Sequence, residues 1–347
     1  MSRVAFSWNG LPQYAARLLR GALDALGEDC VVVGSPPSVP VVGMEQALGQ
    51  RIHWLDADRP AHWSDLGMDV PKIYVQSGWA YQAFTALGRE VKATGGKVIG
   101  MSDANWRGDF RQIVLGPLAF RYQHRPQVDA MLVPGRQGLR LMRWFGMPAD
   151  RVRMGMYGAD PALFRAGPAL AGREKRFLYV GQFTDRKDVL GLANAFVRFA
   201  DRNPDWTLHL VGSGEQRALI PNHPRIEIED FVQPEQLGAR YARARFFVLP
   251  SLSEAWGLVV HEAALSGCAL ILSDAIGSAD DLRTPLNGVR FRAGSPAGLE
   301  RALEAAAAFD DKQLELAEAK SLELAKQFGP KRFGREVKYF VDSFSGA

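Results

Sequence analysis

The chain has 347 residues, of which 47% are hydrophobic and 23% charged. This composition is typical of a globular protein and excludes extensive disorder. No run approaches the 18 apolar residues that a membrane-spanning helix needs. Cys30 and Cys268 lie far apart and match no metal-ligand spacing, so a cytoplasmic, reducing compartment is expected. The length exceeds what one hydrophobic core usually serves, so two domains are expected.

The positive charge is concentrated in the first half of the chain. The net charge is +4, yet residues 1–165 alone carry 19 Lys and Arg against 14 Asp and Glu. Seven arginines lie between Arg121 and Arg153, with only Asp129 and Asp150 among them. Such a face favours an anionic acceptor, or peripheral contact with the anionic inner face of a membrane. A solvated arginine-rich surface is an equally good interpretation.

Short apolar runs predict the elements of the first half. The predicted strands are Val4–Trp8, Cys30–Gly34, Lys72–Val75, Lys97–Met101 and Ala130–Val133, with a helix at Gln13–Leu26. The basic amphipathic stretch 136–145 is either an outer helix of the sheet or a helix on a membrane surface. A domain boundary is predicted within residues 160–173, which are rich in Ala, Gly and Pro.

The second half alternates strands and helices more clearly. Strands are predicted at 177–181, 206–212, 226–232, 246–250 and 269–273, and helices at 189–200, 237–245, 258–266, 300–328 and 332–344. No two-residue hairpin turns separate the strands, so the pattern predicts a doubly wound parallel sheet. Right-handed crossovers would place the glycine-ended loops at one edge of that sheet, where ligands bind.

The densest group of functional residues lies in segment 249–263, where a glycine loop follows a strand and opens a helix. The free N–H groups of the first turn make that position an anion site. Glu254 in the loop and Glu262 in the helix suit neutral hydroxyls, because a phosphate would repel them.

This segment resembles the retaining glycosyltransferases of family 4 (glycosyl transferases group 1). The family frame is Pro-Ser-x-x-Glu-x-Phe/Trp-Gly, with a second Glu eight positions after the first. The matching residues are Pro250, Ser251, Glu254, Trp256, Gly257, Leu258 and Glu262. The resemblance implies the GT-B fold, in which two Rossmann-like, doubly wound parallel-sheet domains face each other across a cleft.

A second element of the resemblance starts at Gly181. Family members usually have Gly-Arg here and a Lys-Gly a few residues later, and the two cations clamp the diphosphate of the donor. Lys187 matches the lysine, whereas Gln182 stands in place of the arginine and Asp188 in place of the glycine. Arg186 is a candidate replacement for the missing cation.

The remaining resemblances are single positions. Gly212 belongs to a loop that lies close to the nucleotide in the family, and Val232 to the segment that reads the base. Gly10 matches the first-strand glycine loop that approaches the diphosphate. Ser102 stands where many members carry a histidine, and the following Asp103 either binds sugar or acceptor hydroxyls or caps a helix.

Together these features imply a retaining, metal-independent hexosyltransferase of the polysaccharide-biosynthesis type, with a nucleotide-diphosphate sugar as donor substrate and no cofactor. Its acceptor would be a glycan, a lipid-linked sugar or a small molecule, and nucleic acid is not an expected partner. The Asp56-Ala-Asp58 sequence mimics a metal site and is interpreted as surface.

The resemblance also implies a domain plan and roles for residues. Residues 1–165 would bind the acceptor, residues 173–330 would bind the donor, and residues 331–347 would form a helix that crosses back to the first domain. Glu254, Lys187 and Asp103 are the expected catalytic residues. A phosphorylase, a sugar-nucleotide epimerase and a non-catalytic nucleotide-sugar-binding subunit remain alternatives.

Overall fold

A computed structural model describes residues 4–27, 30–37, 41–106 and 108–346. The chain divides into two compact units. The first unit takes the chain up to Gly158 and again from Phe328 onward, and the second is Ala159–Gln327. No helix in these ranges combines the length and the apolar character that crossing a membrane requires.

The first unit is built on a parallel sheet of seven described strands. These strands are β1 (Val4–Trp8), β2 (Cys30–Gly34), β3 (His53–Trp54), β4 (Ile73–Ser77), β5 (Lys97–Met101), β6 (Ala130–Val133) and β7 (Val152–Met154). Their order in the sheet is β3-β2-β1-β4-β5-β6-β7. The five strands predicted from sequence are confirmed, with small shifts at their ends. The edge strands β3 and β7 were missed, because two or three residues show no periodicity.

Helices cover both faces of this sheet. They are α1 (Gln13–Leu26), α2 (Met44–Leu48), α3 (Gln82–Ala93), α4 (Gly116–Ala119), α5 (Arg136–Trp144) and, from the end of the chain, α12 (Pro330–Ser345). Val4, Phe6 and Trp8 share a core cluster with α1 and α12, whereas Ala5 packs in a second cluster on the other face. This alternation is the period-2 pattern of a strand that is buried on both faces.

The crossing of α1 and α12 depends on two glycines. A Cβ on Gly334 would lie 2.2 Å from the carbonyl oxygen of Gly21, and one on Gly21 would lie 2.4 Å from the carbonyl oxygen of Pro330. The helices therefore touch backbone to backbone, which only glycine permits. Beside this contact, the buried carboxylate of Glu336 pairs with Arg153 and with Arg332.

A helical segment of unusual form joins β5 to β6. Two π-helical turns, Arg111–Leu115 and Phe120–His124, flank α4, and a 3₁₀ turn at Arg125–Gln127 ends the segment. Phe120 is its one buried residue and packs 5.5 Å from Phe145, centroid to centroid. The other side chains of residues 110–127 are partly or fully exposed.

The second unit is built on a parallel sheet of six described strands. They are β8 (Glu174–Val180), β9 (Thr207–Val211), β10 (Ile226–Glu229), β11 (Ala244–Leu249), β12 (Ala269–Ser273) and β13 (Gly288–Phe291), in the order β10-β9-β8-β11-β12-β13. The helices between and after them are α6 (Val189–Ala200), α7 (Pro234–Arg243), α8 (Leu258–Leu265), α9 (Ala279–Leu282), α10 (Pro296–Ala307) and α11 (Asp311–Ala325).

Two sequence predictions in this unit were wrong. The helical stretch predicted over 300–328 is two helices, because the carboxylate of Asp310 accepts the Gln313 N–H and starts α11 with a capping box. The third strand ends at Glu229, so Phe231 and Val232 lie in the following loop.

Each sheet has one point at which the direction of strand addition reverses. In the first unit this point lies between β1 and β4, and in the second it lies between β8 and β11. The crossovers diverge on either side of it, which leaves a crevice at the carboxyl ends of the two central strands. Ligand-binding residues are therefore expected in the loops after these strands.

Candidate functional site

The loops after β8 and β11 bring two cations and one carboxylate together. Lys187 and Arg186 lie on the turn after β8, and Glu254 lies in the loop after β11. The ammonium of Lys187 is paired with Oε2 of Glu254. The guanidinium of Arg186 lies 3.3 Å from the same oxygen and donates to the carbonyl of Ser253 at 3.0 Å. Lys187 and Arg186 thus share the carboxylate of Glu254 at the point between β8 and β11 where the direction of strand addition reverses.

This cluster is largely shielded from water. The side chains of Lys187 and Glu254 are 11% and 14% exposed, whereas that of Arg186 is 51% exposed. Charges at such depth interact more strongly than they do in bulk water. The arrangement can therefore hold an anion with the shielded ammonium of Lys187 and the half-exposed guanidinium of Arg186.

The loop that carries Glu254 is clamped by the loop after β12. The Glu254 N–H donates to the Ala275 carbonyl at 3.1 Å, and the Gly277 N–H donates to the Glu254 carbonyl at 3.1 Å. The Ser278 N–H donates to the carbonyl of Trp256 at 3.0 Å, and the indole of Trp256 is buried. These bonds fix the backbone of the loop that carries Glu254, and Lys187 and Arg186 hold its carboxylate.

Gly257 connects this loop to α8. Its φ is +85°, a conformation that favours glycine, and a Cβ here would lie 3.2 Å from Cγ of Glu254. No side chain caps α8, which begins at Leu258. The Val260 N–H donates to the Gly257 carbonyl at 3.0 Å, whereas no side chain caps the N–H groups of Leu258 and Val259, which can face an anion beside the Lys187–Glu254 pair.

Glu262 lies on α8 and is buried, with 7% of its surface exposed. Its Oε2 accepts the hydroxyl of Tyr241 on α7 at 2.8 Å. Burial raises the pKa of Glu262 to about 7, and the Tyr241 hydrogen bond offsets part of that rise. A carboxylate held by one hydroxyl has lone pairs left for a further hydroxyl donor.

His261, next to Glu262, joins the two ends of the second unit. Its Nδ1 accepts the N–H of Ala159 at 2.8 Å, and its Nε2 lies 2.8 Å from the carbonyl of Ala325. The ring is therefore the neutral tautomer with the proton on Nε2. Burial lowers the pKa of His261 to about 4, which keeps it neutral. Its role is structural.

The glycine loops after β8 and β9 pack against each other. A Cβ on Gly212, whose φ is +146°, would lie 1.9 Å from the carbonyl oxygen of Gly181. The Gly181 N–H donates to the Val211 carbonyl at 3.0 Å. The close approach of the two backbones explains why glycine occupies both positions, and this explanation requires no contact with a ligand. Val232 is buried in the loop after β10.

Asp188 replaces the glycine of the family pattern and keeps a glycine-like backbone. Its φ is +54°, the one positive φ of a non-glycine residue in the described ranges. Aspartate is among the few residues that tolerate this region. Burial raises the pKa of Asp188, and the N–H of Gly191 lowers it again in part. The turn that carries Lys187 therefore keeps the backbone conformation of a glycine although position 188 is an aspartate.

The candidate residues of the first unit lie in the loops after β1 and β5. Gly10, with φ +54°, follows β1, and its N–H donates to Oγ of Ser35 at 2.7 Å. The N–H of Asn9 donates to Oγ of Ser77 at 3.0 Å, so both loop N–H groups have partners within the unit. Asp103 follows β5, is exposed, and accepts the hydroxyl of Tyr157 at 3.3 Å.

The structure thus gathers Lys187, Arg186, Glu254 and Gly257 at one crevice, with Glu262 further along α8. Tyr241 was missed from the sequence, because it lies 21 residues from Glu262 and belongs to no local motif. Its one signal is the spacing of four from Leu237, the other buried residue of α7.

The Asp56-Ala-Asp58 sequence forms contacts with its own neighbours in the chain. Asp56 pairs with Arg59, Nε to Oδ2 at 3.2 Å, and accepts the N–H of Asp58 at 3.0 Å. Across the described ranges no three His, Cys, Asp or Glu side chains gather as ligands of one metal ion.

Comparison with known proteins finds glycosyltransferases similar to this chain. Residues 174–308 match the family model described as Glycosyl transferases group 1. The D-inositol 3-phosphate glycosyltransferase of Nocardia farcinica is 30% identical over 202 residues, which cover 52% of this chain and 45% of that protein. The chain spans less than half the length of the curated relatives that it matches.

Two solved structures align along almost the whole chain. Sucrose-phosphate synthase from Thermosynechococcus elongatus aligns with a TM-score of 0.74 at 16% identity and covers 100% of both chains. The HepE protein of Anabaena, in complex with UDP and glucose, aligns with a TM-score of 0.73 at 14% identity, over 99% of this chain and 100% of that one. The fold is GT-B. This confirms the fold class expected from the sequence.

The backbone of Asp188 provides a first test of how this GT-B chain presents Lys187. Asp188→Gly should unfold at a higher temperature than Asp188→Ala, by about 2–4 °C, since an alanine with positive φ costs about 1 kcal/mol. Thermal unfolding followed by circular dichroism measures the difference. Equal midpoints for the two variants would show that the turn does not need this conformation.

The buried carboxyl of Glu262 predicts a pH-dependent stability. Its folded pKa of about 7 exceeds that of an unfolded glutamate, so the folded state binds the proton more tightly between these values. Wild type should therefore lose stability as the pH rises towards 7, and Glu262→Gln should gain about 2 kcal/mol relative to it between about pH 5 and pH 8. Urea unfolding at each pH measures the difference. A gap that does not change with pH would contradict the burial of an ionisable Glu262.

Proposed function

We propose that this protein is a retaining, metal-independent family 4 glycosyltransferase that transfers a sugar from a nucleoside-diphosphate sugar to a glycan, lipid-linked or small-molecule acceptor. One observation carries the proposal: Lys187, Arg186 and Glu254 converge beside the uncapped start of α8. This convergence lies within residues 174–308, the segment that matches the Glycosyl transferases group 1 model. The HepE complexes hold UDP, which supports a donor of this class.

Each part of the donor has a proposed partner in the second unit. The ammonium of Lys187 and the first N–H groups of α8 contact the diphosphate. Arg186 replaces the cation that Gln182 lacks. Glu262, oriented by Tyr241, accepts hydrogen bonds from ribose hydroxyls. Glu254 accepts hydrogen bonds from hydroxyls of the transferred sugar once the donor phosphates have drawn the two cations away from it.

The proposed reaction breaks the bond between the anomeric carbon and the diphosphate oxygen. A bond forms between that carbon and the acceptor oxygen on the same face of the sugar. The acceptor hydroxyl gives its proton to the departing diphosphate, whose negative charge Lys187 and Arg186 stabilise as it develops. Asp103 in the first unit, oriented by Tyr157, is proposed to bind sugar or acceptor hydroxyls.

The first functional prediction concerns Lys187. Lys187→Ala should lower turnover by about a hundredfold or more, because a preorganised charge at the leaving group is lost. Arg186→Ala should lower turnover as well, whereas Lys175→Ala, at the opposite end of β8, should not. The assay follows the release of nucleoside diphosphate from a panel of nucleotide-sugars, preselected by thermal stabilisation of the protein. Unchanged turnover in Lys187→Ala would overturn the assignment.

The second functional prediction concerns Glu262 and the donor. Glu262→Gln should weaken donor binding about tenfold to a hundredfold, because a hydrogen bond to a charged group contributes about 1.5–3 kcal/mol. Isothermal titration with the donor measures the dissociation constant. The control is Glu315→Gln, an exposed glutamate on α11. Donor binding without transfer to any acceptor would instead indicate a nucleotide-sugar-binding subunit.

A further inference from the structure

The first unit carries a concentrated apolar surface. Fifteen large hydrophobic side chains are exposed in the described ranges, and seven of them lie in residues 110–122 or at Trp144. The seven are Phe110 (72% exposed), Ile113, Val114, Leu115, Leu118, Tyr122 (74% exposed) and Trp144. A surface helix of a globular protein normally turns its apolar residues to the core, so this inversion needs an explanation.

This apolar segment, defined as residues 110–124 with Trp144, is firmly attached to the unit. The ring of Phe120 is buried against Phe145, and the indole N–H of Trp144 donates to the carbonyl of Ile113 at 3.1 Å. A Cβ on Gly116 would lie 2.6 Å from the ring of Phe145. The segment is therefore a formed element, and the attachment runs through Phe120, Gly116 and the Trp144 indole N–H rather than through the exposed side chains of residues 110–118.

Positive charge surrounds the segment. Arg111 and Arg121 are exposed, and neither forms an ion pair within the described part of the chain. Asp109, the one acidic residue between 108 and 128, accepts the N–H of Gln112 at 2.8 Å. The apolar side chains are thus flanked by two cations, Arg111 and Arg121, that have no acidic partner in the described ranges.

A groove of about 660 Å³ opens between the segment and α5. It is lined by Trp106, Ile113, Trp144, Arg136, Arg140 and Arg143, together with Leu139. The guanidinium of Arg140 lies over the Trp106 ring at 4.3 Å. Aromatic rings and arginines side by side are typical of a protein surface at the headgroup level of a bilayer.

We propose that the apolar segment docks this protein on an anionic lipid bilayer. The large side chains of residues 110–122 enter the boundary between headgroups and acyl chains, and the arginines beside them contact lipid phosphates. A second copy of the chain is a poorer occupant, because symmetric pairing would bring the same arginines against each other. The proposal does not depend on the transferase reaction.

The test uses the full chain and two kinds of vesicle, without donor or acceptor. Wild type should sediment with phosphatidylglycerol vesicles and much less with phosphatidylcholine vesicles, and added salt should release it. Phe110→Ser/Leu115→Ser/Leu118→Ser should lower the partition coefficient by at least about tenfold. Arg111→Gln/Arg121→Gln should lower it about tenfold on the anionic vesicles alone.

The matched control changes three exposed leucines of the second unit, Leu219→Ser/Leu286→Ser/Leu316→Ser, and should sediment like wild type. Thermal unfolding of all variants shows that the fold is kept. Three outcomes would overturn the proposal: wild type that stays in the supernatant, equal losses in the test and control variants, or a concentration-dependent dimer that the 110/115/118 variant abolishes.

Discussion

A buried cation needs a counter-charge, and this constraint organises the second unit. The side chain of Lys187 is only 11% exposed, so removing Glu254 would take away a counter-charge from a largely buried cation. Glu254 meets that need in this structure, and a donor diphosphate would meet it in the proposed complex. In the proposed complex the diphosphate would replace Glu254 as the counter-charge of Lys187, because one negative group can replace the other.

The sheet topology makes this pairing feasible. β8 and β11 are neighbours although 63 residues separate the end of one strand from the start of the next. The loops after these two strands consequently meet, and the loop after β12 clamps the Glu254 backbone. The first unit repeats the plan at β1 and β4, where the serines at 35 and 77 bind the N–H groups of the first loop.

Specific contacts hold the positions at which this chain differs from the family pattern that it resembles. Asp188 adopts the positive φ that glycine would have, and the Tyr179 hydroxyl donates to the Gln182 carbonyl at 2.7 Å. Arg186 reaches Glu254 from the same turn as Lys187 and is the cation proposed above to replace the one that Gln182 lacks. Asp103 accepts the hydroxyl of Tyr157. Because Tyr157 lies far from Asp103 in the sequence, the residues around Ser102 could not indicate this contact.

Local sequence patterns predicted most elements and the parallel α/β class, because strand and helix periodicities depend on neighbours two to four residues away. The GT-B fold was expected only from the resemblance of segment 249–263 to a known family. The sequence also indicated Glu254, Glu262 and Lys187 as candidates. Tertiary structure decided the rest: the Lys187–Glu254 pair across 67 residues, the Tyr241–Glu262 bond, and the outward apolar side chains of residues 110–122. Such features depend on which strands become neighbours and which helix faces stay uncovered. The hydropathy of residues close in sequence determines neither.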